Sequence, residues 1–381
     1  MALVACAEVV APDKVALVPA NFADLPGWLR DDPRDALAAF ERSCRVLREM
    51  PPSAPIGPGA IAGHAGAWRG ACLEAQGMVR GTLAREDVRR FFERNFRPFA
   101  VTGSAGNKGL FTAYFEISLR GARRRSAQYH VPLYRRPRDL VSADLGVFQK
   151  NLRGKSIAGR VQNGRLVPYA DRGAIESGAL AKKGLELLWL DDPVDAFFLH
   201  VQGSGRVELA DGSATRIGFA GKNGHAYTSI GKVLIDKGVL KPGSVTMQSI
   251  RAWLAANRDK AAALFANNRS FIFFREISGA GPIGSQGVAL IANRSLAIDR
   301  AFLPLGAPMF VAAADTQGKL GPVQRLMVAQ DSGSAIRGPI RGDMFLGHGP
   351  AATALAGRTA MRGRYWILLP QSVAERQWAA Q

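Results

Sequence analysis

This chain is organised around one stretch, Leu326-Met-Val-Ala-Gln-Asp331-Ser-Gly-Ser-Ala-Ile-Arg-Gly-Pro-Ile-Arg-Gly-Asp343-Met-Phe. Its apolar start predicts a short buried strand that ends at Asp331, and the small residues that follow predict a compact turn. The chain then returns to Asp343, which stands between Gly342 and an apolar run. Apolar neighbours disfavour the charged form of a carboxyl group and raise its pKa, which suits it to donating a proton. We therefore expect Asp343 to be an acid, with Asp331 placed to orient it.

A third aspartate precedes this stretch, in Asn293-Arg-Ser-Leu-Ala-Ile-Asp299-Arg-Ala-Phe-Leu-Pro-Leu-Gly306. The pattern predicts a strand that ends at Asp299 and is followed by a turn. The alternative for each aspartate is a cap at a turn or strand end, which is a common role for Asp beside Gly. If Arg337 or Arg341 paired with Asp343, it would lower the pKa of that carboxyl. We expect both arginines to face Asp331 or a substrate carboxylate instead.

The spacing of the three aspartates resembles the three-aspartate (3D) domain of the membrane-bound lytic transglycosylase A family. The family pattern is S-x-A-x-D-x-x-x-I-P-L-G, then A-x-D-x-G-G-A-I-x-G and a final Asp. Here Leu303 replaces the Ile, and Ser334 replaces the second Gly of the pair. Because Gly is the default residue where φ is positive, Ser334 bears on the conformation of the turn. It does not change the three carboxylates.

Length and charge limit the class of protein. With 381 residues, 47% of them hydrophobic and 21% charged, the chain is predicted to be globular with two or three domains. The net charge of +19 favours an anionic partner. The only tight basic run, Arg120 to Arg125, lacks the aromatic interleaving and motifs of nucleic-acid binders, so no nucleic-acid partner is expected. Most of this charge is interpreted as a solvated surface, and the acidic bacterial cell wall suits the remainder.

The cysteines do not indicate a disulfide scaffold or a metal site. Cys6 ends a Leu-Val-Ala-Cys run that looks like a bacterial lipobox; either the true start lies upstream or the match is chance. Cys44 and Cys72 are predicted on the apolar faces of two helices, as free thiols or as a disulfide that an oxidising periplasm would favour. The five histidines show no ligand spacing, so no metal and no cofactor are expected. Without an apolar run of about 20 residues, any membrane link is predicted to be an anchor.

The first hundred residues are predicted to be helical. A helix is expected to begin at Asp32-Pro33 and to end at Pro51, with further helices around Cys72 and Phe91. From Gly109 the period changes to two, which predicts a strand with Thr112, Tyr114 and Glu116 on one face.

Part of this strand resembles a G-Y-Y-E-P segment of the same family, although Ala113 replaces the Gly and Ile117 the Pro. The resemblance implies that Tyr114 and Glu116 bind sugar. The alternative is a half-buried strand whose polar face meets water.

The middle of the chain carries further candidate sugar-binding residues. Ala196 to Val201 is predicted to be a strand, followed by a turn. The segments Gln202-Gly-Ser-Gly-Arg206 and Gly221-Lys-Asn-Gly-His-Ala-Tyr227 are similar to the family's Q-G-S-G-R and G-x-N-G-x-x-Y. Gln202, Ser204 and Asn223 are therefore expected to bind sugar hydroxyls and N-acetyl groups; their alternative role is to hold tight turns.

Short strands between Gly/Pro turns in the last third favour a small barrel. They are predicted at residues 288–291, 296–299, 309–313, 326–330 and 365–369, with a helix at 351–357. The family fold implies a mainly β protein with N-terminal helices: a six-stranded double-psi β-barrel interrupted in sequence by an inserted second β-rich domain. The resemblance implies that residues 1–20 are a leader or linker, that 21–116 and 276–381 form the barrel domain with a 3D region at 285–370, and that 117–275 form the insert. A ligand groove is expected between the domains.

The resemblance implies a peptidoglycan exotransglycosylase at the periplasmic face of the outer membrane. Asp343 would protonate the oxygen between N-acetylmuramic acid and N-acetylglucosamine, then take the proton of the muramic acid C6 hydroxyl as a 1,6-anhydro ring closes. Asp331 and Asp299 would orient or tune it. The expected partner is the glycan strand, with a lipid anchor at Cys6 and room for other cell-wall enzymes. The alternatives are a metal-dependent hydrolase and a wall-binding module without catalytic activity.

Overall fold

The computed structural model describes residues 14–79, 81, 83–152, 155–279, 281–315, 320–333 and 335–379. Cys6 and Ser334 lie outside these residues, so the lipobox and the turn at Ser334 stay predictions. The described residues form two compact units. The first comprises those up to Phe115 and those from Ile283 onward, and the second is Glu116–Pro282.

The helices and strands follow the chain through the first unit, the second unit and the first unit again. The first part contains β1 (Val15–Pro19), α1 (Arg34–Glu49), α2 (Arg69–Met78), α3 (Arg85–Asn95), β2 (Phe96–Gly103) and β3 (Gly109–Glu116). The second unit contains β4 (Ser118–Ala122), β5 (Val131–Tyr134), β6 (Val141–Asp144), α4 (Leu145–Phe148), β7 (Ser156–Gln162), β8 (Arg165–Pro168), α5 (Arg172–Ala174), β9 (Glu186–Leu190), α6 (Pro193–Gln202), β10 (Ser204–Leu209), β11 (Ala214–Lys222), α7 (Ile230–Asp236), α8 (Met247–Ala256), α9 (Ala261–Ala266) and β12 (Ile272–Ile277). The return contains β13 (Ser295–Ile298), β14 (Pro308–Asp315), β15 (Val323–Asp331), β16 (Arg341–His348), α10 (Pro350–Ala356), β17 (Ala360–Pro370) and α11 (Gln371–Ala379).

The three predicted N-terminal helices are confirmed as α1, α2 and α3. Their apolar faces enclose a cluster of buried rings, which are Phe40, Trp68, Phe91, Phe92 and Phe96. Cys44 of α1 and Cys72 of α2 form a disulfide, as the oxidised alternative predicts. The prediction that the first hundred residues are helical is wrong for β1 and β2, which pair with each other along their length. Long-range pairing of this kind leaves little local signal.

Six strands of the first unit close into a barrel. Their order is β17-β14-β15-β13-β16-β3, and β3 pairs back onto β17. The sheet is mixed because β13 and β15 run parallel, while β16 pairs antiparallel with β13, β14 with both β15 and β17, and β17 with β3. β2 and β1 extend it beyond β17. The expected fold class, a six-stranded barrel with N-terminal helices and an inserted β-rich part, is confirmed.

Two buried polar groups fix the strands that carry the aspartates. Arg294, just before β13, donates to both oxygens of Asp31 at 2.9 Å and to the carbonyl of Leu326 at 2.7 Å. Gln330, fully buried at the end of β15, accepts from Ser295 Oγ at 2.6 Å and donates to the carbonyl of Ala39 at 2.8 Å. Since each group is hydrogen-bonded, both tolerate burial and tie the barrel to the N-terminal segment.

The second unit contains a six-stranded sheet with the order β12-β11-β10-β4-β9-β5, and a three-stranded sheet formed by β6, β7 and β8. The predicted strand at Ala196 to Val201 is wrong, because these residues lie in α6. Asp192 caps this helix by accepting from the N–H of Val194 at 2.7 Å, and Gly203 ends it with a φ of 82°. The cap, the Pro at the first helical position and the final Gly are helix signals that outweigh the apparent alternation.

A second correction concerns residues 288–291 of the first unit. They form no strand, and only an isolated bridge joins Ala289 to Ile283. The other strands predicted in the last third are present as β13, β14, β15 and β17, and the helix is α10.

Candidate active site

Asp331 and Asp343 lie at one level of the barrel. Asp331 of β15 and Asp343 of β16 are both register partners of Ala297, in the strand between them. Side chains alternate along a strand, and Leu296 and Met344 belong to the buried core cluster. Ala297 and Asp343 therefore project from the opposite face, where the small Ala297 leaves room between the two carboxylates.

Asp343 is held by a hydroxyl on the neighbouring strand. Thr112 of β3 donates to its Oδ1 at 2.5 Å, and the Thr112 oxygen accepts from Arg341 Nη2 at 2.9 Å. Arg341 also donates to the carbonyls of Leu110 at 3.3 Å and Gly342 at 2.5 Å. Among the described residues, Arg341 forms no ion pair with either aspartate, and its hydrogen bonds reach Asp343 only through Thr112. Asp331 is therefore not its partner, while the expected alternative, a substrate carboxylate, stays a prediction.

The environment of Asp343 raises its pKa above the usual range. Burial is the largest cause, and the negative charge of Asp331 acts in the same direction. The Thr112 hydrogen bond and the positive charge of Arg341 oppose them without reversing the shift. A carboxyl group with a raised pKa keeps its proton at higher pH, as a general acid requires.

Asp331 is surrounded by donors. Tyr114 Oη donates to its Oδ2 at 2.8 Å, while the N–H and hydroxyl of Ser285 donate to Oδ1 at 2.9 and 2.8 Å. The N–H of Ser332 reaches the same oxygen at 2.9 Å. Because both oxygens already accept hydrogen bonds, Asp331 is better suited to exert its charge than to remove a proton from water. The sequence pattern does not predict a role for Ser285, because its contact with Asp331 joins segments 46 positions apart.

The hydroxyl of Tyr114 is a hydrogen-bond donor to Asp331. Its ring packs against Phe345 with centroids 5.3 Å apart, and burial together with the charge of Asp331 raises the pKa of its hydroxyl well above the usual value. The hydroxyl consequently remains a neutral donor. The sequence predicted that Tyr114 binds sugar, and that role stays a prediction beside the observed contact.

Asp299 is placed differently from the other two aspartates. Its carboxylate is buried and accepts from the N–H of Ala301 at 3.0 Å and from the N–H of Gly338 at 2.8 Å. These bonds fix the turn after β13 to the loop before β16. Asp299 also lines a recess of about 310 Å³ with Ser332 and Arg337. The structure thus gives Asp299 the capping role that was its alternative.

Glu116 belongs to the second unit. Its buried carboxylate accepts from Nε of Arg216 at 3.1 and 3.3 Å, and the same arginine donates to the carbonyl of Gly279 at 3.2 Å. This is a structural ion pair, since removing either partner would leave a buried charge uncompensated. Sugar binding by Glu116 stays a prediction.

The other three predicted sugar-binding residues divide into accessible and inaccessible ones. Gln202 is exposed at the end of α6, and Ser204 is half-buried opposite Gly218 in the sheet.

Asn223 is 1% exposed, and its amide is occupied by the backbone. Its Nδ2 donates to the carbonyls of Ala170 and Arg269 at 3.0 and 2.9 Å, and its Oδ1 accepts from the N–H of Phe271 at 2.9 Å. Holding this turn is the alternative role that sequence analysis gave Asn223.

The described part of the chain contains neither a metal-binding cluster nor a helix suited to span a membrane. No group of three or more His, Cys, Asp or Glu side chains there could hold a metal ion. None of its helices has both the length and the apolar character needed to cross a membrane.

Two family models match the chain. The MltA specific insert domain matches residues 110–275, and the 3D domain matches residues 294–369. Together they cover more than half of the sequence.

Named relatives and solved structures agree with these models. The membrane-bound lytic murein transglycosylase A of Escherichia coli K12 is 35% identical over 287 residues, which are 72% of this chain and 71% of the relative. The crystal structure of a membrane-bound lytic murein transglycosylase from Agrobacterium tumefaciens is 38% identical, covers 95% of this chain and 99% of its own, and has a TM-score of 0.77. That of E. coli MltA with bound chitohexaose is 28% identical, covers 93% and 91%, and has a TM-score of 0.60.

Proposed function

Because this chain belongs to the family of membrane-bound lytic murein transglycosylase A, we propose that it cleaves the β-1,4 bond between N-acetylmuramic acid and N-acetylglucosamine in peptidoglycan. The bond is broken without water, and a 1,6-anhydromuramoyl end is left. Asp343 carries the proposal, as a buried carboxyl group whose pKa is raised and whose position is fixed by Thr112.

Asp343 acts twice in the proposed reaction. In its protonated form it gives its proton to the bridging oxygen as the bond from C1 to that oxygen breaks. The resulting carboxylate then accepts the proton of the C6 hydroxyl while O6 bonds to C1. One proton leaves Asp343 and one returns to it, one bond to C1 breaks and one forms, and Asp343 ends the cycle protonated. Because O6 is tethered to the reacting sugar, positioning replaces a second catalytic carboxylate.

Asp331 supports this cycle through its charge. Its negative charge raises the pKa of Asp343 and would favour positive charge that develops at C1 in the transition state. Four donated hydrogen bonds keep this carboxylate in place. Asp299 contributes by fixing the loop before β16 and is a positioning residue.

The proposed substrate is the glycan strand, cleaved from its ends. Chitohexaose in the E. coli MltA structure supports binding of a sugar chain. The exposed Gln202 and half-buried Ser204 offer an amide and a hydroxyl for sugar groups. The net charge of +19 favours an acidic wall polymer.

We place the protein at the periplasmic face of the outer membrane, with Cys6 lipidated and other cell-wall enzymes as neighbours. The word "membrane-bound" in the relatives' names supports this location. So does the Cys44–Cys72 disulfide, since disulfides persist in oxidising compartments such as the periplasm.

Mass spectrometry of digested peptidoglycan tests the proposal. The wild-type chain should release anhydro ends, while Asp343→Asn should lose about 10³-fold or more in rate and still bind the wall. Glu86→Gln removes one negative charge from an exposed position of α3 and should keep full activity. Reducing ends would identify a hydrolase, and no soluble product a wall-binding module. Near-normal turnover by Asp343→Asn would remove Asp343 from the mechanism.

A further inference from the structure

A recess of about 360 Å³ lies within the second unit, and none of the residues assigned to the lytic reaction lines it. It is formed by β5, α6, α9 and the segment that follows α5. Its lining is mostly apolar and includes Val131, Ile175, Ala196, Phe197, Phe265 and Phe271. Its volume lies in the range of small-molecule sites, which are typically apolar cavities with a few placed polar groups.

Two buried polar side chains line this recess with unused donors. Tyr134 is 6% exposed and His200 is 7% exposed. Nδ1 of His200 accepts from the N–H of Ile272 at 3.1 Å, so the neutral ring carries its hydrogen on Nε2. Burial lowers the pKa of His200 well below its usual value, which keeps the ring neutral. Neither Nε2 of His200 nor the hydroxyl of Tyr134 has a hydrogen-bond partner among the described residues. Both residues line the recess, so these donors are available to a molecule bound there.

Tyr134, His200 and the buried Arg172 all lie close to the ring of Phe271. The centroid of Phe271 lies 4.2 Å from that of His200, 6.3 Å from that of Tyr134 and 5.2 Å from Cζ of Arg172. Arg172 also lines the recess and is 1% exposed.

Three nitrogens of Arg172 each donate one hydrogen bond, to the carbonyl of Asn268 at 3.0 Å, to Oε1 of Glu176 at 2.9 Å and to the carbonyl of Ser270 at 2.9 Å. A guanidinium carries five N–H donors, so two remain. Glu176, a carboxylate in the lining, is already bound to Arg172.

We propose that this recess binds a small carboxylate with a compact apolar body, such as an aromatic or branched-chain acid. The carboxylate would accept from Tyr134, His200 and the remaining N–H groups of Arg172, and the body would fill the space among the phenylalanines. An amine fits less well, because it brings a cation to the guanidinium of Arg172 and meets donors at Tyr134 and His200. A free acid and the C-terminal residue of a peptide share this chemistry.

Calorimetric titration of the full chain tests the site with defined probes. 3-Phenylpropionate should bind saturably at one site, its neutral amide at least tenfold more weakly, and phenethylamine not at all. N-acetylphenylalanine represents a peptide C-terminus, and binding as tight as that of 3-phenylpropionate would indicate a peptide as the source. Much weaker binding would indicate a free acid.

Two neighbouring alanines of α9 provide matched variants. Ala262 and Ala263 are both exposed, but only Ala262 lines the recess. Ala262→Trp should weaken binding at least tenfold, whereas Ala263→Trp should bind as the wild type does. His200→Phe, which keeps the ring but removes Nε2–H, should also weaken binding of the acid. The proposal is overturned by an absence of saturable binding, by equal affinity for acid and amide, or by equal binding in both tryptophan variants.

Discussion

Asp331 and Asp343 flank Ala297 of β13, which pairs with Asp331 across one edge of the strand and with Asp343 across the other. Two interstrand spacings separate their backbones, about 10 Å. At this range the charge of Asp331 raises the pKa of Asp343. Asp331 itself accepts from Tyr114 and Ser285. The pair therefore divides into a carboxyl group that carries the proton and a carboxylate that supplies charge.

Replacing Asp331 by Asn should move the pH dependence of activity. Asp343 must be protonated when the substrate binds, so activity falls as pH rises through its pKa. Asp331→Asn removes a negative charge that raises this pKa, and the basic limb of kcat/KM should shift to lower pH. The amide can still accept at Oδ1, and Tyr114 can accept from its nitrogen. Glu86→Gln makes the same charge change on α3 and should leave the limb in place; a shift of equal size in that control would contradict the assignment.

Replacing Thr112 by Val should shift the same limb in the opposite direction. The Thr112 hydroxyl donates to Asp343 and lowers its pKa, so its loss should raise the pKa and move the basic limb to higher pH. Thr112→Ser keeps the hydroxyl and should restore the wild-type profile. If the limb of Thr112→Val moved to lower pH instead, Arg341 would have turned to pair directly with Asp343, and the relay through Thr112 would be disproved.

Asn223 and Gln202 should respond differently to alanine. Asn223→Ala leaves the carbonyl of Ala170 and the N–H of Phe271 unpaired, whereas the carbonyl of Arg269 still accepts from the N–H of Arg172. The free energy of unfolding should fall by about 2–4 kcal/mol, measured in urea. The exposed Gln202→Ala should change stability by less than about 0.5 kcal/mol. If Gln202 binds sugar, its variant should raise KM for glycan strands. If Asn223→Ala were as stable as the wild type and had a raised KM, Asn223 would be a substrate-binding residue instead of a structural one.

The disulfide between α1 and α2 should stabilise the first unit. Cys44 and Cys72 are 28 positions apart, and closing such a loop stabilises a fold by about 3–4 kcal/mol in the chain-entropy model. The double variant Cys44→Ala/Cys72→Ala should unfold at correspondingly lower denaturant concentration. Reductant should lower the stability of the wild type towards this value and leave the double variant unaffected. Equal stability of both proteins without reductant would show that the bond contributes nothing.

The sequence predicted well where the local pattern was long or the motif was dense. The apolar spacing in α1 buries one face of that helix, and the alternation from Gly109 is present as the strand β3. The barrel was predicted partly from short strands and partly from family resemblance. Strand β16 was not predicted, because Gly342 and Asp343 resemble a turn when their partners on β13 are unknown.

The sequence predicts the acidic residues of the candidate site, but it does not predict the residues that form hydrogen bonds with them. Asp343 was identified from its apolar neighbours, but Thr112 gave no signal beyond being a polar residue of a half-buried strand. Ser285 was missed for the same reason, since its contact with Asp331 spans 46 positions. Hydrogen bonds between distant segments depend on the closure of the barrel, which composition and period do not encode.

The barrel takes β3 from early in the chain and β17 from near its end. Thr112 and Asp343, hydrogen-bonded to each other, are 231 positions apart. A ribosome completes the second unit long before it reaches the strand that carries Asp343, and the closing strand β17 comes later still. The nascent polypeptide therefore lacks an assembled acid until β16 and β17 have been synthesised. Chain order alone delays the acid until the last strand of the barrel leaves the ribosome.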